Sequence, residues 1–246
     1  MKTKKQGMTT KQARQVKLDG HAYERKVADK LKGDVIPGSG KADILMKDGT
    51  SISLKSGNKR IQFLQVQSEE GFGKFTRDVA TQFRNLQAHK QNYAVNPRNE
   101  TSEKRNIAKC INKLDATLIN KSNYHDFFQK SIFHCSRKNR LVDLLALRIT
   151  DSNKFVVYTR SSVMNALAKH TYQCPNEGRT CRGQQVGSQK LNFNFINTKG
   201  KDKLLAWVET ANGKTKSFIR ISGYHNDLLE FLGLYAKEHF LSLIHI

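Results

Sequence analysis

The stretch KADILMKDGTSISLKSG, from Lys41 to Gly57, leaves this chain few ways to fold locally. Two short runs of alternating apolar residues, Ala42–Met46 and Thr50–Lys55, flank Asp48-Gly49. Asp-Gly between such runs marks a β-hairpin. Loop length then decides which side chains share a face, because a one-residue slip exchanges the two faces of a strand. A two-residue turn pairs Asp43 with Leu54 and sends Lys55 to the opposite side. A three-residue loop, Lys47-Asp48-Gly49, puts Gly49 in the left-handed position that glycine tolerates best. Asp43 then faces Ser53. Asp43, Ser53 and Lys55 share one face, and Ala42, Ile44, Ile52 and Leu54 share the other. Only this register collects the apolar residues on one side, and it is the one predicted.

The chain before the hairpin reads as a polar, basic, flexible arm over residues 1–17 and a helix from Asp19 that Gly33 stops. Val27, Ala28 and Leu31 form the apolar stripe of that helix, and Glu24 lies on the same face. A carboxylate on a buried face needs a partner or a metal. The plainer reading is a boundary acid paired with a nearby Lys or Arg. After the hairpin, RIQFLQVQ predicts a third strand and FTRDVATQFRNLQ a helix. TSEKRNIAKCINKLDATLIN predicts a long helix capped by Thr101 or Ser102, with Ile107, Cys110, Ile111, Leu114, Leu118 and Ile119 as its stripe. NYHDFFQKSIF reads as another helix.

Beyond Arg140 the pattern changes to strand hairpins and short helices, with Asn212-Gly213 as a second turn signal. The expected class is α+β, with a core over residues 18–140 carrying a helical insertion and an α/β lobe over 141–240. Residues 241–246 stand apart. LSLIHI is what CTG TCT CTT ATA CAC ATC encodes, a transposon end used to build sequencing libraries. These residues are expected to be an adaptor-derived tail, with the natural protein continuing beyond Phe240.

Charge points to the partner. The 246 residues hold 43 Lys and Arg against 21 Asp and Glu, a net charge of +22. Nucleic acid is the usual polyanion for such a surface, since phosphate neutralisation supplies most non-specific affinity. An anionic membrane surface is the lesser alternative, and no basic amphipathic helix supports it. No apolar run reaches the roughly 18–20 residues of a membrane span, and no leader-like stretch opens the chain. A cytoplasmic protein is expected. None of the four cysteines forms a CxxC pair. His170, Cys174 and Cys181 lie close enough in sequence to suggest a zinc site, but a fourth ligand is not evident, and free thiols are the expectation.

A helix glutamate, a strand aspartate and a strand S-x-K after a hairpin are the parts of a hydrolytic metal site. Two carboxylates suit Mg²⁺, which takes hard oxygen ligands and keeps several waters. A nearby lysine orients the attacking water or stabilises charge on the phosphorane. The plain alternative is an exposed hairpin whose Lys55 merely touches phosphate.

On HAYERKVADKL, GSGKADI and SLKSGNKR the sequence resembles the PD-(D/E)XK nuclease superfamily, and at its front also the archaeal Holliday-junction resolvases. The resemblance covers residues 20–65, about a fifth of the chain. It implies a restriction-endonuclease-like core, a mixed central sheet flanked by helices. It also implies Glu24 as the helix-one acid, Asp43 as the metal-binding acid and Lys55 as the catalytic lysine. Two departures stand out. The PD of the family is Ala42-Asp43 here, and Ser53 stands where the second acid usually lies. One restriction-enzyme subgroup with S-x-K takes that acid from the next helix; Glu69, 14 residues after Lys55, Glu70 beside it, or Glu24 could complete the site, with Glu69 the first choice. The expected catalytic set is Asp43, Lys55, Glu24, Ser53 and Glu69, with Asp43, Glu24 and Glu69 on the metal and Gln65 as a water-orienting side chain.

The resemblance implies a Mg²⁺-dependent endonuclease on double-stranded DNA, of sequence-specific type II restriction type. The residues after the core would then read DNA. Lys41, Lys59, Arg60, Arg182, Gln184, Gln185 and Lys190 are the expected contacts, and a homodimer is an arrangement the sequence leaves open. The alternatives are a junction resolvase, a homing or repair nuclease on the same core, or a non-catalytic nucleic-acid-binding protein. No Gly-rich phosphate loop suggests ATP use, and no HNH pattern competes.

Overall fold

A computed structural model describes residues 9–36, 42–56, 59–96, 98, 100–135, 140–173, 190–212, 216–236 and 240–245. The chain opens with α1 (Thr10–Leu31), β1 (Asp34–Val35), β2 (Ile44–Leu45), β3 (Ser51–Lys55) and β4 (Arg60–Val66). Four helices follow, α2 (Glu69–Phe72), α3 (Arg77–Val95), α4 (Glu100–Leu118) and α5 (Lys121–Phe133). Then come β5 (His134–Cys135), β6 (Arg140–Leu141), β7 (Leu144–Arg148), β8 (Lys154–Thr159) and α6 (Arg160–His170). The last elements are β9 (Thr171–Gln173), β10 (Lys190–Ile196), β11 (Asp202–Asn212), β12 (Ser217–Tyr224), α7 (His225–Tyr235) and β13 (Phe240–His245). The class is α+β, as expected.

The hairpin forms in the predicted register. Ile44 pairs with Ile52 and Leu45 with Ser51, which leaves Asp43 opposite Ser53. Met46 and Thr50 close a three-residue loop in which Gly49 has φ +87°. Ile44, Ile52 and Leu54 meet Val27 and Ala28 of α1 in a small apolar cluster with Phe155 and Val157. Gly33 permits that approach, since a Cβ there would lie 2.9 Å from the carbonyl oxygen of Leu45. Ala42, expected on this side, belongs to the larger core instead. It precedes the two residues of β2, so strand alternation no longer dictates its direction.

The first helix is longer than expected. It starts at Thr10, so residues 10–17 are helical rather than a flexible arm, and residues 1–8 lie outside the described set. Lys, Gln, Arg and Ala dominate this segment, all good helix formers, and one glycine, Gly20, is tolerated at about 1 kcal/mol. The long helix α4 starts at Glu100, which places Thr101 and Ser102 in its first turn rather than at its cap. Ile119 falls past its end and is exposed, while the rest of the stripe is buried.

Sheet order differs most from expectation. Six strands run β1-β2-β3-β7-β8-β13, with β3 and β7 parallel and the other pairs antiparallel. A second sheet, wholly antiparallel, runs β4-β12-β11-β10-β9, and β5-β6 form a ribbon. The boundary expected at residue 140 therefore does not part the sheets. The strands β7 and β8 complete the sheet begun by the hairpin, and β4 leaves it for the second. A parallel neighbour needs a long crossover, and the helices α2–α5 provide it for β3. Phe83, Leu145 and Phe193 share one core, so the two halves interlock. Inward-facing Leu191, Phe193, Phe195, Val208, Ile219 and Ile221 attach the second sheet to it. The backbone of β13 pairs with β8, so the segment expected to be foreign occupies a sheet edge. An open strand edge accepts any chain able to extend along it. No described helix is long and apolar enough to cross a membrane.

Candidate active site

Asp43 is fixed by its backbone before its side chain acts. Its N–H donates to the Ile52 carbonyl at 2.8 Å and its own carbonyl accepts from Ile36 N–H at 2.9 Å. The carboxylate then reaches across the hairpin. Oδ2 accepts from the Leu54 N–H at 2.6 Å and from the Ser53 hydroxyl at 3.5 Å. No hydrogen bond from a described residue reaches Oδ1. Lys55 Nζ lies 3.9 Å from Oδ2 and donates to Ser53 Oγ at 2.8 Å and to the Leu54 carbonyl at 3.3 Å. Ser53 is fully buried and acts as a relay between acid and base.

Burial pushes the Asp43 carboxyl above its usual range; Lys55 and the Leu54 N–H pull it down, and the charge of Glu24 pushes it up again. Burial prevails. The coupling also shows that α1 brings Glu24 within electrostatic range of Asp43. Among the described residues Glu24 has no Lys or Arg partner; its Oε2 sits 2.8 Å from His21 Nδ1.

Two carboxylates that repel one another, with one of Asp43's oxygens unbonded among the described residues, suit a hard cation that keeps most of its waters. Among the described residues no group of three His, Cys, Asp or Glu is positioned for a metal.

Lys55 also opens onto a cleft of 650 Å³, whose walls include Gln65, Glu70, Lys74, Lys130 and His134. The Ser68 side chain caps α2 by accepting from the Gly71 N–H. Glu70, in the first turn of that helix, lies in the cleft wall. Glu69, the expected third acid, is 72% exposed and held 2.7 Å from Arg84 Nε, and it does not line the cleft. Gln65 does line it. Sequence reasoning missed Lys74, Lys130 and His134. No local motif marks them: Lys74 follows α2, and Lys130 and His134 reach the cleft through the packing of α5 against β4.

The expected DNA contacts divide. Lys41, Arg182, Gln184 and Gln185 lie outside the described residues, as do Cys174 and Cys181, so the zinc reading lies there too. His170 stacks on Tyr235 with ring centroids 4.2 Å apart. Cys110 is a free, buried thiol. Lys59 is exposed. Arg60 and Lys190 come together across the second sheet. Both pair with Glu209, Arg60 by a close guanidinium contact and Lys190 at 3.3 Å.

Comparison with protein-family models, with curated proteins and with solved structures finds no match.

Proposed function

We propose that this chain is a Mg²⁺-dependent endonuclease that hydrolyses phosphodiester bonds of double-stranded DNA, of sequence-specific type II restriction type, acting in the cytoplasm. One observation carries the reading. Asp43, Ser53 and Lys55 converge on the hairpin, with Glu24 in electrostatic range, and Lys55 opens onto a cleft whose other lysines are Lys74 and Lys130. Three lysines against one acid, Glu70, leave the described cleft wall net positive, which concentrates an anionic substrate.

Asp43 and Glu24 would hold the cation, which supplies a polarised phosphoryl oxygen and a more acidic water. Asp43 is pre-oriented for this by the Leu54 N–H. Lys55, held by Ser53 and the Leu54 carbonyl, places its positive charge where the phosphorane becomes more negative. Glu70 replaces Glu69 as the acid expected beyond the lysine strand, because it alone of the two lines the cleft. It is placed to accept a proton from water. Gln65 on the same wall is placed to orient that water. A homodimer would present one such site to each strand.

Incubation with unmethylated phage DNA and Mg²⁺, followed by sequencing of the ends, tests the reading. A restriction-type enzyme leaves ends at one short sequence, and a repair or junction enzyme leaves ends set by structure. Lys55→Ala should bind DNA as wild type does while cleavage disappears. A non-catalytic binder would leave the DNA intact in every case.

A further inference from the structure

The outer face of the second sheet carries a charge cluster that the cleft chemistry does not use. Glu209 on β11 is 14% exposed and receives three cations from three other strands. Arg60 comes from β4, Lys190 from β10 at 3.3 Å and Arg220 from β12 at 3.7 Å. Cross-strand register sets this arrangement: Lys190 lies opposite Glu209, and Glu209 opposite Arg220. Among the described residues this sets three cations around one carboxylate. Trp207, two residues along β11, is 3% exposed beneath the same groups, with the Arg60 guanidinium 4.8 Å and Lys190 Nζ 5.4 Å from its ring. Two buried donors there, Trp207 Nε1 and Arg220 Nε, have no acceptor among the described residues. Unmatched donors and an excess of cations over acids among the described residues of this face both suit an anion.

We infer that this cluster is a seat for a phosphate of the nucleic-acid backbone, separate from the cleft and held to it by β4. This rests on the nucleic-acid reading above. The carboxylate of Glu209 fixes the three cations before the ligand arrives, which lowers the ordering penalty of binding. The separation is short. Lys55 and Arg60 are five residues apart, so their Cα atoms lie at most about 17 Å apart, or about five base-pair steps at 3.4 Å. The seat would therefore hold a backbone phosphate near the cut and set the register of the duplex without reading its sequence.

Trp207 is the single tryptophan of the chain, so its emission reports on this face alone. A short duplex titrated into the full chain, in chelator to prevent cleavage, should change that emission saturably. Lys190→Gln and Arg220→Gln should each weaken binding about three- to tenfold and reduce the slope of log affinity against log salt by about one. Lys199→Gln should do neither, because exposed Lys199 sits in the turn after β10, at the far end of the β10–β11 pair. Lys190 is 52% exposed, so its variant should fold normally. Duplex binding by anisotropy with unchanged Trp207 emission and unchanged salt slopes overturns the seat. So does pyrophosphate changing the emission at the same concentrations as the duplex, which identifies a small-anion site. A seat without cleavage defeats only the nuclease reading, and cleavage without a seat defeats only this one.

Discussion

Asp43 and Asp115 both carry a carboxyl group out of water, and burial pushes both above their usual range. Around Asp43 the chain supplies an N–H, a hydroxyl and an ammonium group, and Lys55 beside it opens onto the basic cleft. Asp115 lies on α4 among Ile111, Leu114 and Leu118, is 2% exposed, and neither of its oxygens has a partner among the described residues. Its carboxyl rises to about 7 through burial alone. A shifted acid is thus no sign of a site by itself. Compensating groups and access to a substrate separate a functional carboxylate from one that only destabilises the fold.

The largest expected effect is at the site. Lys55→Ala should lower the cleavage rate at least about a thousandfold, some 4 kcal/mol of transition-state stabilisation, while Asp115→Asn cuts at the wild-type rate. Equal losses in both would erase the contrast.

The second effect is thermodynamic and belongs to Asp115. Its folded value, about 7, exceeds its ordinary 3.8, so the folded state favours the protonated acid. Stability is intact below pH 4, falls as pH rises through 4 to 7, and stays low above. Asp115→Asn imitates the protonated form and should be more stable than wild type at pH 8, by as much as about 4 kcal/mol. The two proteins should converge near pH 4 in denaturant melts. Parallel curves at both pH values would mean that Asp115 finds a partner.

Smaller effects sharpen the site itself. Glu70→Gln should reduce cleavage about a hundredfold, as loss of a proton acceptor does. Glu69→Gln should cut normally, since its pairing with Arg84 is exposed and such pairs contribute little. The reverse result would return the third-acid role to Glu69. Asp43→Asn should gain less stability at pH 8 than Asp115→Asn, because Lys55 and the Leu54 N–H already offset part of its burial. A larger gain would make those partners ineffective.

How legible these features were depends on their range. The hairpin register followed from residues within six or seven positions of one glycine, all local. Glu24 was placed on the sheet-facing side of α1 by helical spacing alone. The choice between Glu69 and Glu70 turned on which of them lines the cleft and on Arg84 from another helix, neither of which spacing reveals. The pairing of β4 with β12 joins strands more than 150 residues apart, and no periodicity encodes a partner at that distance. Arg60 and Lys190 were legible as charge, but their shared attachment to Glu209 was not. Composition counts cations and leaves their partners unspecified.

The central claim is that Asp43 and Lys55 work as one metal-dependent site. Wild type and Asp43→Asn incubated with unmethylated duplex DNA, each with Mg²⁺ or with chelator, test it most directly. Cleavage by wild type in Mg²⁺ alone, with Asp43→Asn binding DNA but leaving it whole, is the predicted result. Cleavage that persists in chelator, or in Asp43→Asn with Mg²⁺, would contradict it, as would wild type that binds DNA and never cuts.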